Sequence, residues 1–294
     1  MSPPQVSVVL ATYNNASTIG EAIASILLQG GCEFELLVVN DASTDGTLEV
    51  AEHFARRDPR VHIVSLPNNS GRAVARNKAI MEARGEWLAI MDGDDISLPN
   101  RLQAQLAYLK ANPDLDWVST WGYILTGRTN GIFKVATDTQ HHAIVENIAN
   151  GRMPIIHASA MFRRAVMIEL SGYPTEFQSF GIEDYDLLRR WAMNHSIGVL
   201  NQFLYAYRMP SAESSIARYR AVLRMLLAKS NVPTVIVPKS KPRFYMQLFL
   251  AMTRGYVPGV NRIYQRLLNS YLRFNSVELP REIFAWFRQL EIAP

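Results

Sequence analysis

The stretch 87-WLAIMDGDDIS-97 leads an apolar run of five residues directly into three carboxylates, Asp92, Asp94 and Asp95. Clustered negative charge at the end of a buried strand is unfavourable by itself, because like charges repel and carboxylates resist desolvation. Asp-Gly is ordinary turn chemistry, so a simple turn is one interpretation. A cation site, in which a bound ion offsets the repulsion, is the other. These eleven residues alone do not distinguish the two.

The composition is that of an ordinary globular protein with 294 residues, of which 48% are hydrophobic and 19% charged. A single cysteine, Cys32, excludes an internal disulfide and any cysteine-cluster metal site. The N-terminal MSPPQVSVVL has no basic n-region, and no apolar run approaches the roughly 18 residues of a membrane-spanning helix. We therefore expect a cytoplasmic protein without a secretory signal.

The first hundred residues alternate short apolar runs with helical patterns. The runs are 6–10, 34–39, 61–66 and 87–91, and the helical patterns are 17–29 behind a Ser17 N-cap, 47–57, 71–83 and a helix opened by Pro99. This alternation predicts right-handed βαβ units and a Rossmann-like, largely parallel sheet flanked by helices. The pattern loosens beyond residue 112. There we expect strands at 117–120 and 158–162, a loop or hairpin at 126–142, and a helix at 184–194.

Polar residues follow the predicted strands at their carboxyl ends. If the strand order is 3-2-1-4, Thr12, Asp41 and the 92–95 carboxylates converge on one crevice, because ligands of such sheets bind where the order reverses. The turn 11-ATYNNAST-18 lacks the glycine pattern of dinucleotide sites, and no P-loop is present. Oxygen ligands favour Mg²⁺ or Mn²⁺ over zinc. The crevice therefore fits a metal-chelated nucleotide diphosphate.

Five motifs in order give the chain a resemblance to family 2 glycosyltransferases. They are 5-QVSVVLATYNNASTIGEAIASILLQ-29, 36-LLVVNDASTDGT-47, 70-SGRAVARNKAI-80, 86-EWLAIMDGDDI-96 and 183-EDYDLLRRW-191, and they cover roughly residues 5–210. The resemblance implies a GT-A fold and transfer of a sugar from a nucleotide donor with inversion at the anomeric carbon. It also implies a catalytic domain over residues 1–211, with a nucleotide-binding half at about 1–98 and an acceptor half at about 99–211.

The resemblance assigns the nucleotide contacts. Thr12, Tyr13 and Asn14 would flank the base and ribose, although turn residues at a strand end are the alternative. Asp41 would accept the N3–H of uracil, which thymine shares and cytosine lacks; the N1–H of guanine keeps a guanosine donor open. An N-cap or Asx turn is the alternative for Asp41, and it suits Asp45 better. Arg76 would contact the base and diphosphate, unless it is a surface arginine.

The resemblance assigns metal binding and proton transfer to the two acidic motifs. Asp92 would reach the ribose or the metal, Asp94 would ligate the metal, and Asp95 would support one of them. Asp184 matches the position of the general base of the family, and Glu183 would orient the acceptor or the base. Helix capping is the alternative for this second pair, because carboxylates suit a first turn.

Three further residues are candidates for the acceptor region. His157 would line the acceptor or donor pocket, or else be structural. Arg190 and Trp191, in 189-RRW-191, partly match the Q-x-x-R-W of processive members of the family. Because Asp186-Leu187-Leu188 stand where that pattern begins, we expect addition of a single sugar.

Residues 212–294 hold 13 lysines and arginines against 4 acids, whereas residues 1–211 hold 17 against 22. We predict a basic helical extension that either packs on the catalytic domain or binds an anionic membrane surface at the inner face of the plasma membrane. In the second case the acceptor would be a lipid-linked glycan; another glycan is the alternative. No nucleic-acid motif is present, so nucleic acid is not an expected partner.

Two other functions stay open from the residues. A nucleotidyltransferase that forms nucleotide-sugars can share the α/β nucleotide fold, but it needs a glycine-rich basic loop after strand 1, which 11-ATYNNAST-18 does not provide. A non-catalytic sugar-nucleotide-binding scaffold would not need Asp184. The prediction from sequence is therefore a metal-dependent inverting glycosyltransferase with a UDP-sugar as the first choice of donor.

Overall fold

The computed structural model describes residues 3–126, 131–208 and 275–276. The strands in these ranges are β1 (Val6–Thr12), β2 (Phe34–Asn40), β3 (Val61–Ser65), β4 (Trp87–Asp92), β5 (Ile96–Ser97), β6 (Leu115–Thr126), β7 (Gly131–Val135), β8 (Met161–Arg163), β9 (Ser196–Arg208) and β10 (Asn275–Ser276). The helices are α1 (Ile19–Leu27), α2 (Thr47–Ala55), α3 (Arg72–Glu82), α4 (Arg101–Ala111), α5 (His141–Ala149), α6 (Arg164–Glu169) and α7 (Glu183–Trp191), with short 3-10 helices at His157–Ser159 and Thr175–Phe180.

The described strands form one mixed sheet in the order β10-β7-β6-β8-β4-β1-β2-β3, and β9 pairs with both β6 and β5. The first four strands have the 3-2-1-4 order that was considered for them, since β2 and β4 flank β1 and β3 pairs with β2, all in parallel. The β6–β9 pair is also parallel. The remaining pairs, which involve β5, β7, β8 and β10, are antiparallel. The parallel pairs are therefore those among β1, β2, β3 and β4 and the separate β6–β9 pair.

The sheet is covered by helices on both faces because its central strands are apolar on both sides. Val8 and Leu10 of β1 pack in a core cluster with residues of α1, α2 and α4. Val9, which points to the other face, packs with residues of α3, α5, α6 and α7. This is the two-sided burial that continuous apolar strands require. It leaves the carboxyl ends of the parallel strands as the edge where polar side chains collect.

Local differences from the predicted elements have identifiable causes. Helix α1 begins at Ile19 with Thr18 at its N-cap position, so the prediction of a Ser17 N-cap is wrong. Thr18 makes no side-chain cap bond; its hydroxyl bonds instead to the carbonyl oxygen of Gly93 at 3.0 Å. The strand predicted at 158–162 is shortened to β8 because the 3-10 helix at His157–Ser159 precedes it. The predicted hairpin is confirmed by the antiparallel β6–β7 pair.

The predicted basic extension, residues 212–294, lies outside the described residues except for Asn275–Ser276. These two residues form β10, which pairs with Lys134 and Phe133 of β7. The division of the chain at residue 211 stays a prediction. Among the residues that the structure describes, no helix has the length and apolar character needed to cross a membrane.

Candidate functional site

The loop after β1 is tied to the loop after β2 by Asn14. The backbone amide of Asn14 donates to the hydroxyl of Ser43 at 3.1 Å, and its side-chain oxygen accepts from the amide of Thr44 at 2.8 Å. Asn14 has a φ of 53°, a conformation that asparagine adopts more readily than most residues. Its contacts therefore shape the loop. Tyr13, by contrast, is 43% exposed and presents its ring at this edge of the sheet.

Asp41 is buried, and backbone amides fix the orientation of its carboxylate. Its Oδ1 accepts from the amide of Ser70 at 2.7 Å, and its Oδ2 accepts from the amide of Gly71 at 2.8 Å. Each oxygen keeps a second lone pair, so the group can still accept a bond from a ligand. Asp45 makes the Asx turn that the sequence favoured, because its Oδ1 accepts from the amide of Thr47 at 3.1 Å.

The three carboxylates of the turn after β4 lie together. Asp92, Asp94 and Asp95 can each offer an oxygen atom within 4.8 Å of the others. Burial raises the pKa of Asp94, and the charge of Asp92 raises it further. Gly93 allows the turn to approach the β1 loop, because a Cβ at this position would lie 2.8 Å from the hydroxyl oxygen of Thr12. The turn thus packs directly against the loop that carries Tyr13.

Asp95 differs from its two neighbours because it is completely buried and bonded to β9. Its Oδ2 accepts from the hydroxyl of Tyr205 at 2.9 Å, and its Oδ1 accepts from the amide of Arg208 at 2.8 Å. The Tyr205 hydroxyl also lies 3.4 Å from the amide nitrogen of Asp92. Asp95 therefore fastens the acidic turn to β9, and its support of Asp92 or Asp94 in ligand binding stays a prediction.

Arg76 joins the two acidic motifs. Its Nη2 lies 2.7 Å from Oδ1 of Asp92, and its Nη1 lies 3.8 Å from Oε1 of Glu183. The guanidinium is buried and stands over the ring of Tyr173, 5.3 Å from the centroid. Burial alone would raise the pKa of Asp92, but the charge and hydrogen bond of Arg76 outweigh it and hold that pKa below its ordinary value. The surface position considered for Arg76 is wrong.

Glu183 and Asp184 open α7, and their environments differ. Glu183 is 1% exposed, and burial, followed by the charge of Asp184, raises its pKa. Asp184 is only partly buried, and its Oδ1 accepts from the amide of Tyr185 at 2.8 Å. The first turn of α7 also contains Asp186, and its last turn contains Arg189 and Arg190, as the helix dipole favours. The geometry brings Glu183 to Arg76 and leaves Asp184 more accessible.

His157 lies in the interior beside the same network. Its Nε2 is 2.9 Å from the hydroxyl of Tyr173, and its ring makes an edge contact with Trp117. Burial lowers the pKa of His157 to about 4, and the charge of Arg76 also lowers it. At neutral pH the imidazole is therefore uncharged. Its contacts are those of a buried structural side chain next to the site.

Arg190 makes structural contacts instead of the acceptor contact expected for it. Its Nε donates to Asp186 at 2.9 Å, its Nη1 to the carbonyl oxygen of Leu170 at 2.5 Å, and its Nη2 to that of Gly172 at 2.8 Å. These bonds hold the turn after α6 against α7. The guanidinium of Arg190 is thus occupied by these bonds. Among the described residues, no other side chain donates to the carbonyl oxygens of Leu170 and Gly172.

Trp191 is fully buried and packs against Trp117 and Phe162, with ring centroids 5.0 and 5.4 Å away. The expectation that it faces the acceptor is wrong for this structure, because the last turn of α7 directs the ring into the core. Its apolar position follows from the helical spacing of Leu187, Leu188 and Trp191.

The acidic turn fits a divalent cation. All its candidate ligands are oxygens, as Mg²⁺ and Mn²⁺ prefer. The charge of Arg76 compensates Asp92, whereas burial and the charge of Asp92 raise the pKa of Asp94; a cation bound between the two carboxylates would relieve this repulsion. Asp92 and Asp94 are the better ligands, because they are partly exposed, whereas Asp95 is fully buried and bonded to β9.

Sequence reasoning did not single out Arg72, Tyr173 or Tyr205. Arg72 lies one helical turn before Arg76, and this i,i+4 spacing was available as a signal. The two tyrosines gave no local signal, since they reach the site only through packing of distant segments.

Separately, a cavity of about 530 Å³ lies at the opposite edge of the sheet, bordered by residues such as Pro4, Trp87 and Lys110. The residues predicted for the site do not line it.

The arrangement resembles solved glycosyltransferases in its fold. The crystal structure of S. aureus TarS 1-349 in complex with UDP matches with a TM-score of 0.56 at 20% identity, covering 98% of this chain and 90% of that one. The mannosyltransferase PcManGT from Pyrobaculum calidifontis, in complex with GDP-Man and Mn²⁺, matches with a TM-score of 0.54 at 19% identity, covering 99% and 85%. The fold is therefore GT-A, an architecture of sugar-transferring enzymes.

Sequence comparison gives the family. The family model described as "Glycosyl transferase family 2" matches residues 7–171. The putative glycosyltransferase EpsE of Bacillus subtilis is 30% identical over 250 residues, covering 81% of this chain and 88% of EpsE. The O-antigen biosynthesis glycosyltransferase WbnJ of Escherichia coli is 30% identical over 240 residues, covering 77% and 91%. The chain belongs to glycosyl transferase family 2 and is a glycosyltransferase.

Proposed function

We propose that this enzyme transfers a single sugar from a nucleotide-diphosphate sugar to a glycan or lipid-linked acceptor, with inversion and with a divalent cation. The observation that carries the proposal is the Arg76 guanidinium, which contacts Asp92 at 2.7 Å and approaches Glu183 to 3.8 Å. The acidic turn and the start of α7 therefore lie next to the same guanidinium, although about 90 residues separate them in the sequence.

The donor is proposed to be a uridine nucleotide. The amides of Ser70 and Gly71 hold the Asp41 carboxylate in one orientation, and its remaining lone pairs can accept the N3–H of uracil. The exposed ring of Tyr13 is available to cover the base. The UDP complex of TarS supports this choice, whereas the GDP-Man complex of PcManGT supports a guanosine donor as the second candidate.

Asp92 and Asp94 would hold the cation, as Mg²⁺ or Mn²⁺. The Mn²⁺ named with PcManGT supports this assignment. When bound, the cation supplies positive charge for the diphosphate of the donor and of the product. Arg76 keeps Asp92 ionised and oriented, and Tyr205 together with Arg208 holds the turn through Asp95.

Asp184 is the proposed general base. Its partly accessible carboxylate would accept the proton of the acceptor hydroxyl while that oxygen forms a bond to the anomeric carbon and the bond to the diphosphate breaks. Attack from the face opposite the leaving group inverts the anomeric carbon. Glu183, buried against Arg72 and Arg76, would orient the acceptor side of the crevice without taking the proton.

The acceptor is proposed as a glycan or a lipid-linked glycan. The role of WbnJ in O-antigen biosynthesis supports an acceptor of this class. The excess of basic residues in 212–294 supports the further proposal that the enzyme meets its acceptor at an anionic membrane surface.

Thermal unfolding with UDP, dTDP, GDP, CDP and ADP, each with Mn²⁺ or with EDTA, tests the donor assignment. We expect UDP or dTDP to raise the unfolding temperature only with Mn²⁺, because a ligand that binds the folded state stabilises it by mass action. Absence of a shift with every nucleotide would contradict the proposal. Anomeric configuration of the product, followed by NMR, tests inversion.

Asp184→Asn tests the base. We expect transfer to fall by roughly 10²-fold or more, since general-base contributions have this size, with UDP affinity near wild type. Asp114→Asn is the matched control, because Asp114 is an exposed acid before β6. Retained transfer in the Asp184 variant would remove Asp184 as the base, and loss of UDP binding together with transfer would indicate a damaged fold.

A further inference from the structure

Two arginines on successive turns of α3 reach the same carboxylate oxygen. Nε of Arg72 lies 3.2 Å from Oε1 of Glu183, and Nη1 of Arg76 lies 3.8 Å from the same atom. The two side chains differ in exposure, at 43% for Arg72 and 4% for Arg76. Residues four apart share one helix face, so both guanidinium groups lie at the side of α3 that borders the crevice.

Arg76 is not available to a ligand. Its guanidinium is bonded to Asp92, stacked over Tyr173 and enclosed by the core. Turning it toward a phosphate would leave the Asp92 carboxylate without its cation, which buried charges tolerate poorly. The contact with the diphosphate expected for Arg76 from the sequence therefore needs another donor.

Arg72 extends from a fixed piece of backbone. Asp41 binds the amides of Ser70 and Gly71 from one side, and Nε2 of Gln178 donates to the carbonyl oxygen of Ser70 at 2.8 Å from the other. Gly71 has a φ of +89°, and a Cβ there would lie 2.4 Å from Oε1 of Gln178. The base of the Arg72 side chain is thus positioned by the same carboxylate that is proposed to read the nucleobase.

The outer edge of the Arg72 guanidinium is unused. Among the described residues, the contact of this group is the approach of its Nε to Glu183, and neither Nη atom has a protein hydrogen-bond partner. Its charge acts on both acidic motifs. Burial and the charge of Asp92 raise the pKa of Asp94, and Arg208 and Arg72 are the cations that oppose this rise. Arg72 is therefore an accessible cation between Asp94 and Glu183.

We propose that Arg72 binds the diphosphate of the nucleotide donor through its Nη atoms while its Nε remains directed at Glu183. This inference rests on the proposed function. Arginine suits the task because its planar fork presents parallel N–H donors to phosphate oxygens. The same contact would hold the diphosphate as negative charge develops on it. In this arrangement Arg76 pairs with the carboxylates of Asp92 and Glu183, and Arg72 binds the ligand.

Calorimetric titration of Arg72→Gln and Arg72→Lys with UDP and with uridine tests the assignment. For Arg72→Gln we expect UDP affinity to fall about tenfold or more, as for loss of a charge-assisted pair, and uridine affinity to stay within about twofold of wild type. Arg72→Lys keeps the charge without the planar fork, so its UDP affinity should lie between those of wild type and Arg72→Gln. Arg56→Gln is the matched control, because Arg56 is exposed at the end of α2 and its ion-pair partner among the described residues is the exposed Glu52, at 3.6 Å.

UDP affinity within twofold of wild type in Arg72→Gln overturns the inference and leaves the proposed function intact. An equal loss for UDP and uridine also overturns it, because the defect would then lie outside the diphosphate. If wild-type protein binds no nucleoside diphosphate, both the inference and the proposed function fail.

Discussion

The hydroxyl of Tyr205 donates a hydrogen bond to Oδ2 of Asp95 at 2.9 Å and stands 3.4 Å from the amide nitrogen of Asp92. One phenol thereby connects both ends of the turn that carries the carboxylates. Tyr205 is fully buried, and the guanidinium of Arg101 lies over its ring, 5.2 Å from the centroid. The position of the acidic turn thus depends on β9, a strand more than 100 residues later in the chain.

Tyr205→Phe removes this connection and keeps the ring and its packing on Arg101. We expect Mn²⁺ to bind several-fold more weakly, because Asp92 and Asp94 would be held less rigidly, and the free energy of unfolding to fall by about 1–2 kcal/mol. Titrating Mn²⁺ against the unfolding temperature in the presence of UDP measures the first effect. Tyr108→Phe on α4 is the control, and an unchanged Mn²⁺ dependence in Tyr205→Phe would contradict the positioning role.

Asp94→Asn should have different effects on the stability of the protein with and without metal. Burial and the neighbouring Asp92 raise the pKa of Asp94, so its charge is a source of repulsion in the metal-free enzyme. Removing that charge should leave stability in EDTA unchanged or raise it by up to about 1 kcal/mol. The stabilisation by Mn²⁺ should be largely lost. Unfolding temperatures in EDTA and in Mn²⁺ measure both effects, and an Mn²⁺ shift equal to that of wild type would exclude Asp94 as a ligand.

The sequence predicted the site better where strands end than where distant segments pack. The βαβ character of the first four strands and the carboxylates at the end of β4 followed from strand–helix alternation and from the polar residues after each strand. These are local signals, since each needs only a strand and the turn behind it. The alternation also predicted that helices cover both faces of the sheet.

The contacts that support the site could not be read from the sequence, because they are non-local. Tyr205 reaches Asp95 across 110 residues, and Asn77 exchanges hydrogen bonds with the backbone of Tyr173 across 96. Arg190 was assigned to the acceptor by a partial motif, although its helix turns it toward the carbonyl oxygens of Leu170 and Gly172. Motif position alone does not say which face of a helix a side chain occupies.

Arg76→Leu tests whether Arg76 has a larger structural role than Arg72, on the same helix α3. It leaves the carboxylates of Asp92 and Glu183 without the cation that now contacts both, so we expect the free energy of unfolding to fall by about 3–5 kcal/mol. Arg72→Gln, one turn earlier, should lower it by a smaller amount, about 1–2 kcal/mol, because Arg72 is 43% exposed and Glu183 keeps Arg76 nearby. Urea unfolding of the two variants beside wild type measures the difference. Equal destabilisation by both would contradict the structural role assigned to Arg76.

His157 gives the folded protein a dependence on pH. Its pKa is lowered to about 4, first by burial and then by Arg76, whereas in the unfolded chain it is about 6.5. Between these values the unfolded state binds more protons, so stability falls as the pH falls through this window. The contribution of the neutral His157 to the free energy of unfolding is fully present above about pH 6.5, and its upper limit is about 3 kcal/mol. Asp92 and Asp184 partly oppose the shift.

His157→Gln should therefore weaken the loss of stability between pH 6.5 and pH 4.5. At pH 7 we expect the variant to be less stable than wild type by about 1–2 kcal/mol, because the bond to the Tyr173 hydroxyl is altered. The difference should shrink or reverse toward pH 4.5, since the unfolded variant no longer gains a proton at this position. Urea unfolding at a series of pH values measures this, with His142→Gln, exposed on α5, as the control. Parallel pH profiles for wild type and His157→Gln would show that the buried imidazole does not titrate as described.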